Sequence, residues 1–320
     1  MIFLNRFSDL LPYNTLKKSR LKKFIKYSIY FINNYGNGLI RHYRCIDHWS
    51  CTIRGLIFVS QQLEEIYMDK SKSLFGWRAR IGIIYPASGL ADMEYYELCP
   101  PGVTVHVTRT SVPREGEVTL EDMTELAGGE EFDRLARDLA TVKPSAIAWM
   151  CTSGSFSRGP EWDEKLRKTL TENGGCPATT TSTAVVTALK ALNVDKVSLA
   201  TPYEPRLTEK LAEYVDHYGI EPVSEISLDL THDWDIGTLG PGELRELVKE
   251  ADSPESDAVF VSDTGIVLSP IAEKLERDLG KPVFSANMAT VWQALRMSGV
   301  NESQSDLGSL FKVSLPEEEI

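Results

Sequence analysis

Two polar residues come directly after apolar, β-type runs and have side chains suited to proton transfer or nucleophilic chemistry. Cys151 follows the run Ala146–Met150, and Asp263 closely follows the run Ala258–Val261. A thiol can act as a nucleophile or as an acid/base, and a carboxylate can take or give a proton. We therefore predict Cys151 and Asp263 as catalytic residues. A buried structural cysteine and a helix-capping aspartate are the alternatives.

Hydroxyl and glycine residues surround both candidates. Thr152 and Ser153 follow Cys151, and Thr264 and Gly265 follow Asp263. Such loops can donate hydrogen bonds to a substrate carboxylate or enolate oxygen, although turn and cap formation is their commoner role. The backbone N–H groups of the helix expected after Cys151 should lower the pKa of its thiol. These four residues are predicted to bind substrate.

Two further loops complete the predicted site. Pro86, Ser88 and Gly89 follow the apolar run 81–85, and Tyr203 follows the run 197–200. Ser88 and Gly89 can offer donors to a carboxylate, and the Tyr203 hydroxyl can hold an oxyanion or be satisfied within the core. The first loop matches no nucleotide-binding fingerprint. No histidine stands at a strand end next to small residues, so we expect neither His-assisted nucleophilic catalysis nor a metal site.

The elements that must position these residues follow one repeated unit, an apolar run followed by a polar loop and a helical pattern. The predicted strands are 81–85, 103–107, 146–150, 178–180, 197–200, 222–226, 258–261 and 283–285. Continuous apolar strands alternating with helices indicate parallel sheets that are covered on both faces. Ser269 is predicted to cap a helix that ends at Gly280.

The unit is itself repeated. Residues 146–153 resemble residues 258–265, which indicates two similar α/β halves. Ligands of open parallel sheets bind beyond the carboxyl ends of the strands. Cys151 and Asp263 should then approach one substrate from opposite faces, as racemisation, isomerisation or stereospecific protonation requires.

The charge and composition of the chain limit the classes of partner that it is expected to bind. The net charge of −12 divides into about +6 on residues 1–67 and about −18 on the remainder. The acidic remainder disfavours nucleic acid and anionic membranes, and no apolar run is long enough to span a bilayer. No secretory signal is found, so a cytoplasmic location is expected. The expected partner is a small carboxylate substrate, and a homo-oligomer is compatible with the sequence.

The first residues differ in character from the rest. They are basic and lack the strand–loop–helix pattern, so we interpret 1–67 as an artefact preceding a start at Met68; a basic appendage is the alternative. The predicted organisation is a basic extension, not native or disordered, over 1–77, a first half over 78–182 completed by a helix near 287–299, a second half over 183–286, and an acidic tail over 300–320.

Five short motifs occur in the order found in a known family: residues 81–89, 151–159, 181–184, 199–203 and 280–283. Over residues 78–300 the chain resembles the arylmalonate decarboxylase and maleate cis–trans isomerase branch of the aspartate/glutamate racemase superfamily. The resemblance implies two flavodoxin-like halves related by a pseudo-twofold axis, an active site between them, and no cofactor.

The resemblance also implies roles. Cys151 matches the nucleophile position of the isomerases, where the decarboxylases have glycine, and Asp263 stands where a second cysteine is expected. Gly89 matches the decarboxylases, since the isomerases have asparagine there. Thr152, Ser153 and Tyr203 match the pocket that holds an enediolate. The leading hypothesis is a maleate isomerase-like enzyme, with an arylmalonate-type decarboxylase, an amino-acid racemase and an inactive ligand-binding homologue as alternatives.

Overall fold

The computed structural model describes residues 75–128 and 131–316. The predictions made for residues 1–67, including a start at Met68, lie outside these ranges, as does most of the predicted extension 1–77.

Within the described ranges the strands form two parallel sheets of the same design. The first sheet has the order β2-β1-β3-β4 and the second the order β6-β5-β7-β8, and every neighbouring pair is parallel. The strands are β1 (Ala79–Pro86), β2 (Val103–Thr110), β3 (Ala146–Trp149), β4 (Ala178–Thr180), β5 (Lys196–Thr201), β6 (Glu221–Ser227), β7 (Ala258–Val261) and β8 (Val283–Ser285). Each predicted run coincides with a strand, and the predicted α/β class with two similar parallel-sheet halves is confirmed.

Helices connect the strands of each half. They are α1 (Asp92–Glu97), α2 (Leu120–Ala127), α3 (Phe132–Ala140), α4 (Thr152–Ser157), α5 (Pro160–Gly174), α6 (Thr181–Ala191), α7 (Pro205–His217), α8 (Asp233–Gly237), α9 (Pro241–Ala251), α10 (Ser269–Leu279) and α11 (Ala286–Met297). Helices α5 and α7 begin with proline, whose missing N–H has no partner in a first turn anyway. Gly175 and Gly280 end α5 and α10 in the left-handed conformation that favours glycine.

The central strands are apolar because both of their faces are covered. Every residue of β3 and of β7 is buried. Helix α11 is buried along almost its whole length and packs against α6 and against β3 and β4. The predicted site residues lie at the carboxyl ends of the strands.

The described part of the predicted acidic tail is packed rather than extended. It contains the short 3₁₀ turns Ser305–Leu307 and Leu310–Lys312, and Leu310 and Phe311 are buried. The buried Arg296 guanidinium donates to the Phe311 carbonyl oxygen at 2.9 Å, which ties this segment to α11.

Within the described ranges, no helix combines the length and the apolar character needed to cross a bilayer.

Candidate active site

A cavity lies at the carboxyl ends of the strands and is lined by both halves. Its walls are Tyr85, Pro86, Gly89, Leu90, Val112, Glu117, Met123, Leu126, Cys151, Ser153, Asp233, Asp263, Thr264 and Gly265. The fold therefore brings both predicted catalytic residues, more than 100 positions apart in the chain, to one space. Their roles in catalysis stay predictions.

Cys151 is held between β3 and α4. It is the N-cap residue of α4, with extended backbone angles (φ −156°, ψ 103°), and only 4% of it is exposed. A Cβ atom added to Gly154 would lie 2.8 Å from the Cys151 Sγ atom, so the first turn of α4 can approach the sulfur only with glycine at that position.

The pKa of the Cys151 thiol is raised above its ordinary value. Burial raises its pKa most, and the charges of Asp233 and Asp263 raise it further, while the Gly154 N–H and the Ser153 hydroxyl lower it. The expected lowering by a backbone N–H group is present at Gly154, but burial outweighs it because the sulfur is shielded from water. Nucleophilic use of this thiol requires a base.

Asp263 has a strained backbone. Its φ is +93°, and a non-glycine residue in such a region costs about 1–3 kcal/mol unless its surroundings impose it. Only 6% of the residue is exposed, and Oδ1 accepts a hydrogen bond from the Gly265 N–H at 2.5 Å. The side chain is thereby fixed to its own loop.

The pKa of Asp263 is raised to about 7. Burial is the largest cause and the nearby Asp233 charge the second, whereas the Gly265 N–H and the Tyr203 hydroxyl lower it. A carboxyl group with this pKa can both take and release a proton near neutrality.

Asp233 is a site residue that the sequence reasoning missed. It is the first residue of α8 and accepts a hydrogen bond from the Ser88 hydroxyl. Burial raises its pKa, and its charge acts on both Cys151 and Asp263. The available signal was its position shortly after the predicted strand 222–226, at the same sheet edge as the other candidates.

Three predicted residues lie behind the cavity wall. Ser88 contacts Asp233. Tyr203 is fully buried, and its hydroxyl accepts a hydrogen bond from Ser262 at 3.1 Å and lowers the pKa of Asp263. Thr152 is also buried. None of these three residues lines the cavity itself.

Part of the cavity lining is apolar. Leu90, Val112, Met123 and Leu126 contribute it. Two segments meet beside this part of the lining: the Val118 N–H donates to the Thr231 carbonyl oxygen at 2.8 Å, so the approach to α2 is joined to the approach to α8. The cavity thus combines apolar side chains with a set of acid/base groups.

Gly89 and Tyr85 explain the shape of the first loop. A Cβ atom at Gly89 would lie 2.1 Å from the Tyr85 ring, so that ring crosses the space a side chain would need. The Tyr85 hydroxyl donates to the Thr264 carbonyl oxygen at 2.9 Å. A larger residue at position 89 would displace the ring that supports the Asp263 loop.

Cationic groups do not line the described cavity. The lining contains no Lys, Arg or His, so the hydrogen-bond donors that it offers to an anion are neutral groups. In residues 75–128 and 131–316, no three His, Cys, Asp or Glu side chains are arranged to share a metal ion.

Comparison with known proteins gives consistent matches. A family model described as arylmalonate decarboxylase matches residues 115–311. The chain is 30% identical to a maleate isomerase of Geobacillus stearothermophilus over 72% of this chain and 96% of that protein. It is 32% identical to an arylmalonate decarboxylase of Bordetella bronchiseptica over 72% of this chain and 95% of that protein.

A solved structure of an arylmalonate decarboxylase also resembles this chain. The crystal structure of a liganded double mutant of arylmalonate decarboxylase, with one glycine changed to cysteine and one cysteine to serine, matches with a TM-score of 0.67 and 31% identity. The match covers 73% of this chain and 99% of that one.

Proposed function

The chain belongs to the arylmalonate decarboxylase family, and from this premise we propose that it is a cofactor-independent isomerase of a small carboxylic acid, with Cys151 and Asp263 as its reacting pair. The resemblance to maleate isomerases supplies the reaction class. The cavity that both residues line supports the choice of Cys151 and Asp263 as the reacting groups.

The observation that carries the proposal is the pairing of a thiol of raised pKa with a carboxyl group of near-neutral pKa in one cavity. Cys151 needs a base before its sulfur can attack. Asp263 is such a base once it has lost its proton, and it returns the proton when the thiolate is released.

For an unsaturated dicarboxylate the steps balance as follows. Asp263 takes the thiol proton, the Cys151 sulfur bonds to one alkene carbon, and the alkene electron pair moves onto the adjacent carboxylate as an enediolate. The former double bond is now a C–C single bond, and rotation occurs about it. In the reverse step the C–S bond breaks and the double bond returns in the other geometry. Asp263 then reprotonates the thiolate.

The enediolate must be stabilised without a cationic side chain. Ser153 lines the cavity and presents a hydroxyl beside Cys151. Hydrogen-bond donors placed where negative charge develops commonly account for several kcal/mol of catalysis, so Ser153 is the proposed oxyanion donor.

A second function, decarboxylation of a substituted malonate, is favoured by the apolar part of the cavity lining. This part, formed by Leu90, Val112, Met123 and Leu126, suits an apolar substituent. Loss of CO₂ would leave the electron pair of the broken C–C bond on an enediolate, and the Cys151 proton would form the new C–H bond. Asp263 would then restore the thiol.

Proton NMR in deuterated water tests both functions on maleate, substituted malonates, aspartate, glutamate and hydantoins. Cis–trans conversion that is lost in Cys151→Ala supports the isomerase, and loss of CO₂ selects the decarboxylase. Cys176→Ala is the matched control, since that partly buried cysteine lies outside the cavity lining. Turnover retained by Cys151→Ala rejects the assignment.

A further inference from the structure

The loop that carries Asp263 needs support from outside itself. It runs from β7 to α10, and Asp263 adopts its left-handed φ of +93° within it. The Gly265 N–H bond to the Asp263 carboxylate is local and moves with the loop. Contacts from other elements must therefore set where the carboxylate stands.

Glu94 provides one such contact from the opposite half. It lies on α1, only 1% of it is exposed, and its Oε1 accepts hydrogen bonds from the N–H groups of Leu268 at 3.0 Å and Ser269 at 2.8 Å. The prediction that Ser269 caps α10 is wrong: Leu268 is the N-cap residue and has no side chain that can cap. Glu94 serves as the cap from a distant part of the chain.

Asn287 provides the second contact. This residue is fully buried on α11, and its Nδ2 lies 2.7 Å from the Glu94 Oε2. The same nitrogen reaches the carbonyl oxygens of Thr264 at 3.2 Å and Ile266 at 3.1 Å. Because all three partners are acceptors, only the nitrogen of the amide can face them.

Together these bonds fix both ends of the loop. Glu94 holds the end at Leu268 and Ser269, and Asn287 holds the end next to Asp263. Neither residue lines the cavity. Burial raises the pKa of Glu94, whereas the N–H groups and the Asn287 amide lower it, so the donors that hold the loop also favour the charged form.

We propose that Glu94 and Asn287 are positioning residues that hold the Asp263 loop, and thereby the Asp263 carboxylate, against the Cys151 side of the cavity. The proposal rests on the role of Asp263 in the proposed function. It makes the placement of a second-half carboxylate depend on a first-half helix.

The test compares three variants of the full chain. Glu94→Gln turns one side of the carboxylate into a donor that faces other donors, and Asn287→Ala removes the amide without a change of charge. Glu276→Gln is the matched control. Glu276 lies in the last turns of α10, away from the Asp263 loop, and like Glu94 it accepts hydrogen bonds from backbone N–H groups, those of Val283 and Ser309.

The principal measurement is the carboxyl ¹³C NMR titration of Asp263, assigned by the loss of its signal in Asp263→Asn. A loosened loop admits water, so the pKa of Asp263 should fall by about one unit or more in Glu94→Gln and Asn287→Ala. With a substrate in hand, kcat should fall about tenfold while KM changes little. Glu276→Gln should leave both quantities as in the parent protein.

The milder variant Tyr85→Phe covers the case in which the others fold poorly. It removes a hydroxyl that donates to the Thr264 carbonyl oxygen and accepts from the Ala91 N–H, and it should shift the Asp263 pKa in the same direction by less. An unchanged Asp263 pKa in the folded variants, or an equal fall in Glu276→Gln, overturns the proposal. The titration needs no turnover, so a parent protein that converts no substrate would defeat the proposed function and still leave the positioning decided.

Discussion

The Thr264 hydroxyl donates a hydrogen bond to the Met150 carbonyl oxygen over 3.4 Å. This bond joins the residue that follows Asp263 to the residue that precedes Cys151. Cys151 and Asp263 follow strands of different sheets, yet their loops touch directly. Movement of either strand end would therefore change the separation of the thiol and the carboxylate.

The first prediction concerns the pH dependence of the reaction. Asp263 has a pKa of about 7 and must be ionised to accept the Cys151 proton, so kcat/KM should rise with pH through about 7. Asp263→Asn should abolish turnover at every pH. A pH–rate profile that is flat between pH 5 and 8 would argue against this role.

The same group links stability to pH. Since the folded protein holds the Asp263 proton more tightly than the unfolded chain, whose aspartates have ordinary pKa values, the free energy of unfolding should fall as pH rises from about 4 to 7. The difference of about three units corresponds to at most about 4 kcal/mol. Asp263→Asn should thus raise Tm more at pH 8 than at pH 4.

Asp235→Asn controls that measurement, because Asp235 is exposed on the neighbouring helix α8. Its effect on Tm should be small and similar at both pH values. An equal stabilisation by Asp263→Asn at pH 4 and pH 8 would show that the Asp263 carboxylate is not destabilised by burial.

The second prediction concerns Asp233. Its negative charge raises the pKa of Asp263, so Asp233→Asn should lower that pKa and move the rise in kcat/KM to lower pH. In this variant the Ser88 hydroxyl can still donate to the amide oxygen of the asparagine, which replaces the charged carboxylate oxygen. A pH–rate profile recorded beside Asp235→Asn measures the shift, and identical profiles in the two variants would remove Asp233 from the site's electrostatics.

The third prediction is the opposite shift. The Tyr203 hydroxyl lowers the pKa of Asp263, so Tyr203→Phe should raise that pKa and move the rise in kcat/KM to higher pH. Tyr214→Phe is the control, since the Tyr214 hydroxyl donates to Asp163 rather than to Asp263. A shift to lower pH in Tyr203→Phe would mean that its hydroxyl does not stabilise the carboxylate.

The fourth prediction concerns the packing around the sulfur. Gly154→Ala places a methyl group 2.8 Å from both the Cys151 Sγ atom and the Trp149 ring, so it should displace the thiol and lower kcat by at least about tenfold. It should also lower Tm, because overpacking a full core typically costs about 1–3 kcal/mol.

Gly242→Ala is the control for Gly154→Ala. It also lies in a helix, α9, but nothing lies within 4 Å of the added Cβ atom. Alanine should be neutral or stabilising there. Normal activity and Tm in Gly154→Ala would show that the loop moves freely to accept the methyl group.

Local patterns in the sequence were sufficient to predict the positions of the strands and of the loops that follow them. The continuous apolar runs of β3 and β7 can only be buried strands in this arrangement, so Cys151 and Asp263 had to stand at strand ends. The repeat of residues 146–153 at 258–265 indicated that these ends belong to equivalent positions. Strand ends are local features, and periodicity reveals them.

The sequence by itself thus determined the α/β class, the two matching sheets and the loops that bear the thiol and the carboxylate. Only the tertiary structure decided that burial raises the pKa of Cys151, that Asp233 lines the cavity, and that Glu94 caps α10. Burial and charge at a group depend on residues far away in the chain: Glu94 and Ser269 are 175 positions apart, and Ser88 and Asp233 are 145 apart. No pattern within one element can report such contacts, because the packing of the two halves creates them.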